Sequence, residues 1–111
     1  MLPSIGLIVP YKLTAEQAVE INRRRTDAGS IAALIAEDKW TAGAQAHFGN
    51  PVQIGDVFPM IVVAIFPDEF GQGNPGVNGQ VFLDGNDSLW ITSASEGPDE
   101  GQWMRGRLDH R

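Results

Sequence analysis

The chain has 111 residues, the size of one globular domain, which argues against a two-domain enzyme with a separate cofactor domain. Its 42% hydrophobic content is enough for a core, its 13 Gly and 7 Pro imply many turns, and its net charge of −6 repels polyanions, which speaks against nonspecific coating of DNA or RNA. With no Cys and two His, neither a disulfide framework nor the common zinc sites are within reach of one chain.

Residues 1–13 read as an N-terminal extension. Met1-Leu-Pro-Ser-Ile-Gly-Leu-Ile-Val9 lacks the basic flank and long apolar region of a signal peptide, and no stretch reaches the ~20 apolar residues of a membrane span. The expectation is a soluble intracellular protein. Thr14-Ala-Glu-Gln17 then supplies a hydroxyl at an N-cap position and Gln three residues on, a pattern that starts a helix at about Ala15. On a helical wheel Ile21, Ala28, Ala32 and Ile35 form one stripe, while Val19 and Leu34 lie towards the opposite side. Gly29 and Ser30 are weak helix formers and mark a candidate bend in a run reaching about Asp38.

Thr41 to Asn50 has small residues and no period, and reads as a connector. Phe58–Phe66 is a β-branched apolar run that predicts a central strand buried on both faces. Pro67–Gly79, rich in Gly and Pro, predicts a mobile loop suited to be a lid. Val77–Leu83 and Leu89–Ala94 read as a hairpin turning through Asp84-Gly-Asn-Asp87, and Gln102–Arg105 as an edge strand before a basic tail at 106–111.

The fold expectation is α+β in one domain: a long helix over 14–39 followed by a strongly bent or sandwich-like antiparallel sheet over 50–105. A continuous helix of roughly 24 residues is ~36 Å long, more than so small a sheet covers, so association into a dimer or higher homo-oligomer is expected.

Catalytic patterns are poorly represented. There is no Gly-x-Ser-x-Gly elbow, and His47 and His110 sit in the connector and the tail. The Asp84–Asp87 turn lacks the ligand spacing of a calcium loop, and the glycines at 71, 73, 76 and 79 lack the strand-to-helix context and the Lys-Ser/Thr of a phosphate loop. The basic tracts Arg23-Arg24-Arg25 and Arg105-Gly-Arg107 are more informative against an acidic mean charge. Arg24 and Arg25 border the helix's apolar stripe. Their stems either lie over the core with their heads on acids such as Glu20 or Asp27, or their forks bind phosphate. Alternation places Gln80 with Phe82, and Trp90 with Thr92, on one face of the hairpin, where the rings are either a cross-strand core pair or a stacking platform.

Ala18-x-x-Ile21-Asn-Arg-Arg-Arg25, Gly43-x-Gln-Ala-His-Phe-Gly-Asn50, Gly55-Asp-x-Phe-Pro-Met-Ile61 and Asn78-Gly-Gln-Val-Phe-Leu-Asp-Gly-Asn-Asp87…Trp90-x-Thr-Ser93 together resemble the first described family of bacteriophage anti-Thoeris proteins. The resemblance runs from about Lys12 to Trp103, and the hairpin block is its most specific part. It implies a non-enzymatic sponge in the cytoplasm of the infected bacterial host, which sequesters cyclic ADP-ribose isomers such as glycocyclic ADP-ribose without cleaving them. Some members also trap cyclic oligonucleotides, and the family assembles as dimers or larger homo-oligomers with both chains at the pocket.

Carried over residue by residue, the resemblance implies Arg24 and Arg25 for phosphates, Phe82 and Trp90 for stacking or pocket walls, Gln80 and Asn86 for polar contacts, and Arg105 as a second clamp. No cofactor, metal, DNA or membrane partner is expected. The N-terminal extension, the helical run at 30–42 and the end from Arg105 to Arg111 depart from the family's pattern. The competing expectation is a small phage protein that blocks or scaffolds another protein through its helix face, with the arginines as rim charges.

Overall fold

The computed structural model describes residues 2–36 and 46–105, with the helix described by its side chains as far as Gly29. In chain order the elements are β1 (Ile8–Lys12), α1 (Ala15–Ala36), β2 (Val57–Phe66), β3 (Gly76–Phe82) and β4 (Ser88–Ser95). The four strands form one antiparallel sheet in the order β1-β2-β3-β4, so the protein is α+β.

The helix starts where its cap requires. Thr14 Oγ1 accepts from the Gln17 backbone N–H at 3.1 Å, and Gln17 Oε1 accepts from the Thr14 N–H at 3.0 Å, so two otherwise orphaned donors are paired. Gln17 Nε2 also donates to the Tyr11 hydroxyl at 2.9 Å, tying the cap to β1. Burial raises the Tyr11 phenol above its ordinary pKa, and the Gln17 hydrogen bond offsets part of that rise. Thr14→Ala is expected to cost about 1 kcal/mol, read as a shift in the urea midpoint with an unchanged slope.

The helix runs through Gly29 and Ser30 without a break. Ile21 and Ala28 are buried as the stripe requires, Val19 is 62% exposed, and Ala32, Leu34 and Ile35 lie outside the described side chains. Residues 37–39 of the expected helix and 41–45 of the connector lie outside the described residues, as does the tail at 106–111.

The first thirteen residues are not an extension. Ile8–Lys12 is a sheet strand whose Val9 and Tyr11 are buried in the core. Pro10 and Pro59 face each other at a non-hydrogen-bonded pair of the β1–β2 ladder, between the bonded pairs that Leu13–Asp56 and Leu7–Val62 mark, so the ladder loses no hydrogen bond to either proline. The core side of the sheet carries Val9 and Tyr11 of β1, Met60 and Val62 of β2, Val77 and Val81 of β3, and Ile91 and Ala94 of β4, packed with Leu13, Ala18, Ile21, Val52, Leu83 and Trp103. At Gly79 a Cβ would meet Met60 Cγ at 2.5 Å and the Ile61 carbonyl at 2.7 Å, so only glycine gives Met60 its place.

The opposite face carries no second layer among the described residues. Ile8, Val63, Phe82 and Trp90 are 39–50% exposed there, so β2 is central but not buried on both faces. Gln102–Met104 lies between the two outer strands rather than forming an edge. The Lys12 N–H donates to the Gln102 carbonyl and the Met104 N–H to the Pro10 carbonyl, while the Trp103 N–H donates to the Ser95 carbonyl and the Gly97 N–H to the Trp103 carbonyl. One segment thus joins β1 to the end of β4, with the Trp103 side chain fully buried.

The loop expected over Pro67–Gly79 is a folded turn that ends at Pro75, since Gly76–Gly79 belong to β3. Gly71, Gln72 and Gly73 all have positive φ (80°, 56° and 76°), Gly73 N–H donates to Asp68 Oδ1 at 2.6 Å, and Asn74 N–H donates to the Gly71 carbonyl at 2.9 Å. Pro75, Gly76 and Val77 are buried, and β3 begins at Gly76.

Candidate functional site

The hairpin of β3 and β4 positions the sequence-derived residues in two groups, one on each side of the sheet. On the open side, Gln80 pairs with Trp90 and Phe82 with Ser88 in register, which places Phe82 and Trp90 on a diagonal. Diagonal neighbours in an antiparallel pair stand about 7–8 Å apart, close enough for both rings to flank one flat group. Phe82 is 46% and Trp90 49% exposed, so these rings are not a core pair. Ser88 Oγ donates to Gln80 Oε1 at 3.2 Å, which leaves the Gln80 amide N–H groups without a protein acceptor among the described residues. Ile61 lies across from Gln80 and Ile8 across from Ile61, so an apolar row continues from the rings over the sheet.

Behind the turn, Arg24 and Arg25 converge on Asp87. Arg25 grips the carboxylate bidentately (Nη1–Oδ2 2.9 Å, Nη2–Oδ1 3.1 Å), and Arg24 Nη1 shares Oδ2 at 3.1 Å. Arg25 also donates to the carbonyls of His47 (3.0 Å) and Asn50 (3.2 Å), and Arg24 to the carbonyl of Ser88 (3.0 Å). The Asp87 and Arg25 side chains are 2% and 8% exposed, Arg24 21%. Burial pushes the Asp87 carboxyl up, but hydrogen bonds and charge from Arg25 and Arg24 prevail and hold it below its usual range. A second carboxylate, Glu20, lies 4.0 Å from Arg24 Nε, so two acids face the two guanidinium groups. The Arg23–Glu20 pair at 3.1 Å is exposed on both sides and adds little.

The other residues of the turn hold the connector. Phe48 N–H donates to Asn86 Oδ1 at 2.8 Å and Asn86 Nδ2 donates to the Ala46 carbonyl at 3.1 Å, so both ends of this amide are engaged inside the protein. Asn50 Nδ2 donates to Asp84 Oδ2 at 2.8 Å, and Gly49 lies so close to Gly85 that a Cβ would meet the Gly85 Cα at 2.6 Å. Asn22, on the same helix, exchanges two hydrogen bonds with the Val52 backbone (2.9 and 2.8 Å).

Arg105 belongs elsewhere. Its guanidinium lies 5.1 Å from the Trp103 ring centroid and forks onto Glu96 at 2.9 and 3.0 Å. The Arg105 hydrogen bond, outweighing partial burial, holds the Glu96 carboxyl below its usual range. Glu96 is six residues beyond Trp90, roughly 20 Å of strand, so within one chain Arg105 does not join the hairpin residues.

Gln80, Phe82 and Trp90 therefore meet on one surface, Arg24, Arg25 and Asn86 meet behind the turn, and Arg105 meets neither group. Asp87, the residue that organises both arginines, has no counterpart in the sequence reading. A turn that needs only Gly and Asn yet carries a second aspartate was its only trace. Among the described residues no cluster of His, Asp and Glu has the makings of a metal site, and no helix is long and apolar enough to cross a membrane. No family model, curated protein or solved structure matches this chain.

Proposed function

We propose that this chain is a non-catalytic binding protein that captures a cyclic ADP-ribose isomer in the cytoplasm of an infected bacterium and silences a Thoeris-type signal by holding it intact. The observation that carries this reading is the pair of half-exposed rings, Phe82 and Trp90, standing diagonally on the bare face with the Gln80 amide beside them. A purine between such rings gains ~1–3 kcal/mol per stacking contact, and an amide meets its polar edge. Arg24 and Arg25, which the resemblance assigns to phosphate, lie on the other side of the sheet with their heads on Asp87, so within one chain they do not face a ligand held by the rings. A second copy of the chain laid on the apolar row would enclose the ligand, and cyclic oligonucleotides are further candidates for capture.

The test is to incubate the protein with the cyclic ADP-ribose isomer, remove free ligand, heat, and identify what is released. Intact ligand supports capture, and a linearised product would make the protein an enzyme. Bound ligand at 100 times its Kd should raise stability by about 2.7 kcal/mol, visible as a higher Tm. Phe82→Ala and Trp90→Ala should each weaken binding by ~1–3 kcal/mol while leaving the unliganded Tm nearly unchanged, because both side chains lie off the core. Light scattering with and without ligand reports the dimer or higher assembly.

One observation favours a second reading. Ile8, Val63, Phe82 and Trp90 form a broad exposed apolar face, which also suits a protein partner. That reading expects a stable complex in pull-downs and no Tm change with any cyclic nucleotide.

A further inference from the structure

At the far end of the sheet from the hairpin turn, a half-open cleft of about 400 Å³ is lined by Phe70, Asn74, Pro75, Ser95 and Glu96. Its volume falls within the range of small-molecule sites. The turn after β2 builds it, since three consecutive positive-φ residues, Gly71, Gln72 and Gly73, fold the chain back and leave the Phe70 ring 48% exposed. Gly76 fixes the rest. A Cβ there would strike the Glu69 carboxylate and meet the Phe70 ring at 2.9 Å, so the glycine lets an acid and a ring lie side by side at the base of β3, across from Ser95. Ser95 Oγ accepts from Gln102 Nε2 at 2.9 Å and keeps its own proton to donate.

This end of the sheet already shows what a ring beside a carboxylate holds. Arg105 lies over Trp103 and forks onto Glu96, with its guanidinium shared between an aromatic face and an acid. Phe70 and Glu69 repeat that pair in the open, and among the described residues no cation of the chain is on Glu69. Asp68, Glu69 and Glu96 make the surroundings acidic, which turns away phosphates and favours a cation. We infer that this cleft is a second binding site, separate from the hairpin face, which takes a guanidinium head group on an aliphatic stem. The stem lies along Phe70 and Pro75, the head meets the outer oxygen lone pairs of Glu96 in the cleft, and Glu69, over Gly76 beside the cleft, is the second acid within its reach. The guanidinium comes either from a free small molecule or from an arginine side chain of another protein.

The experiment titrates agmatine into the full chain while backbone amide NMR shifts are followed. Saturable shifts confined to 68–76 and 94–97 are expected, weakened at least ~10-fold by Phe70→Ala and by Glu69→Gln, both exposed positions whose variants should keep the parent Tm. Trp90→Ala should leave agmatine binding unchanged, which separates this site from the proposed nucleotide face. The peptide acetyl-Gly-Arg-Gly-amide distinguishes the sources: tighter binding than agmatine identifies a protein side chain, and weaker binding a free small molecule. Shifts that fail to saturate by about 20 mM, or neutral butylurea binding as well as agmatine, would overturn the inference.

Discussion

Asp87→Ala should destabilise the protein by about 3–5 kcal/mol, because it strands two guanidinium groups that now share one buried carboxylate. For a domain of this size the loss reads as a Tm lower by roughly 10–20 °C. Three elements lose their common anchor at once: α1 through Arg24 and Arg25, the β3–β4 turn through Asp87, and the 47–50 connector through the carbonyls that Arg25 holds. The order of effects should be Asp87→Ala, then Arg25→Ala, then Arg24→Ala, since Arg24 is the most exposed of the three and keeps Glu20 only at 4.0 Å. The same carboxyl sets an acid limit. Its folded pKa lies below the ordinary value, so its stabilisation is complete above the unfolded pKa of about 3.9 and is lost as pH falls through the folded value. The parent should therefore lose this increment below about pH 4, and Asp87→Asn should lack it at every pH. A variant as stable as the parent at pH 7 would show that the ion triad does not anchor the helix.

Trp103 carries the second large effect. Trp103→Ala should cost about 3–5 kcal/mol in urea unfolding, because the indole is fully buried where the 102–104 segment joins β1 to the end of β4. Trp103→Phe should cost much less than the alanine variant. The indole N–H finds no acceptor among the described residues, and an unpaired buried donor carries a penalty of ~1–3 kcal/mol that phenylalanine removes. Equal losses for Phe and Ala would mean that the donor is satisfied after all.

What could be read from the sequence follows the range of the interactions. The capping box at Thr14 and Gln17, the hairpin around residues 84–87 and the alternation that separates Gln80 and Phe82 from Val81 are local, and each appears as the pattern implies. β1 was hidden because Pro10 interrupts a five-residue run whose partner lies some fifty residues downstream. Proline is a reason to reject an isolated strand, and only the register, which puts Pro10 at a non-hydrogen-bonded position opposite β2, makes it harmless. The arginines were legible as a pair beside the helix's apolar stripe. Their acceptor was not, because Asp87 is 62 residues from Arg25 and looks locally like one more turn residue. The same distance hid the role of Asn86, a common turn residue whose amide is occupied by the connector. Exposure of Phe82 and Trp90 depends on whether anything covers the outer face, which no spacing along one strand encodes.

The closing segment also imposes an order on synthesis. The edge of β1 leaves the ribosome some ninety residues before Gln102–Met104, the residues that pair with it. Until they arrive, the nascent protein presents an unsatisfied strand edge beside an incomplete interior, a state prone to pair with a neighbouring chain. Stop codons or fusion junctions placed before residue 101 should therefore yield aggregates, while junctions beyond residue 105 leave the closure intact.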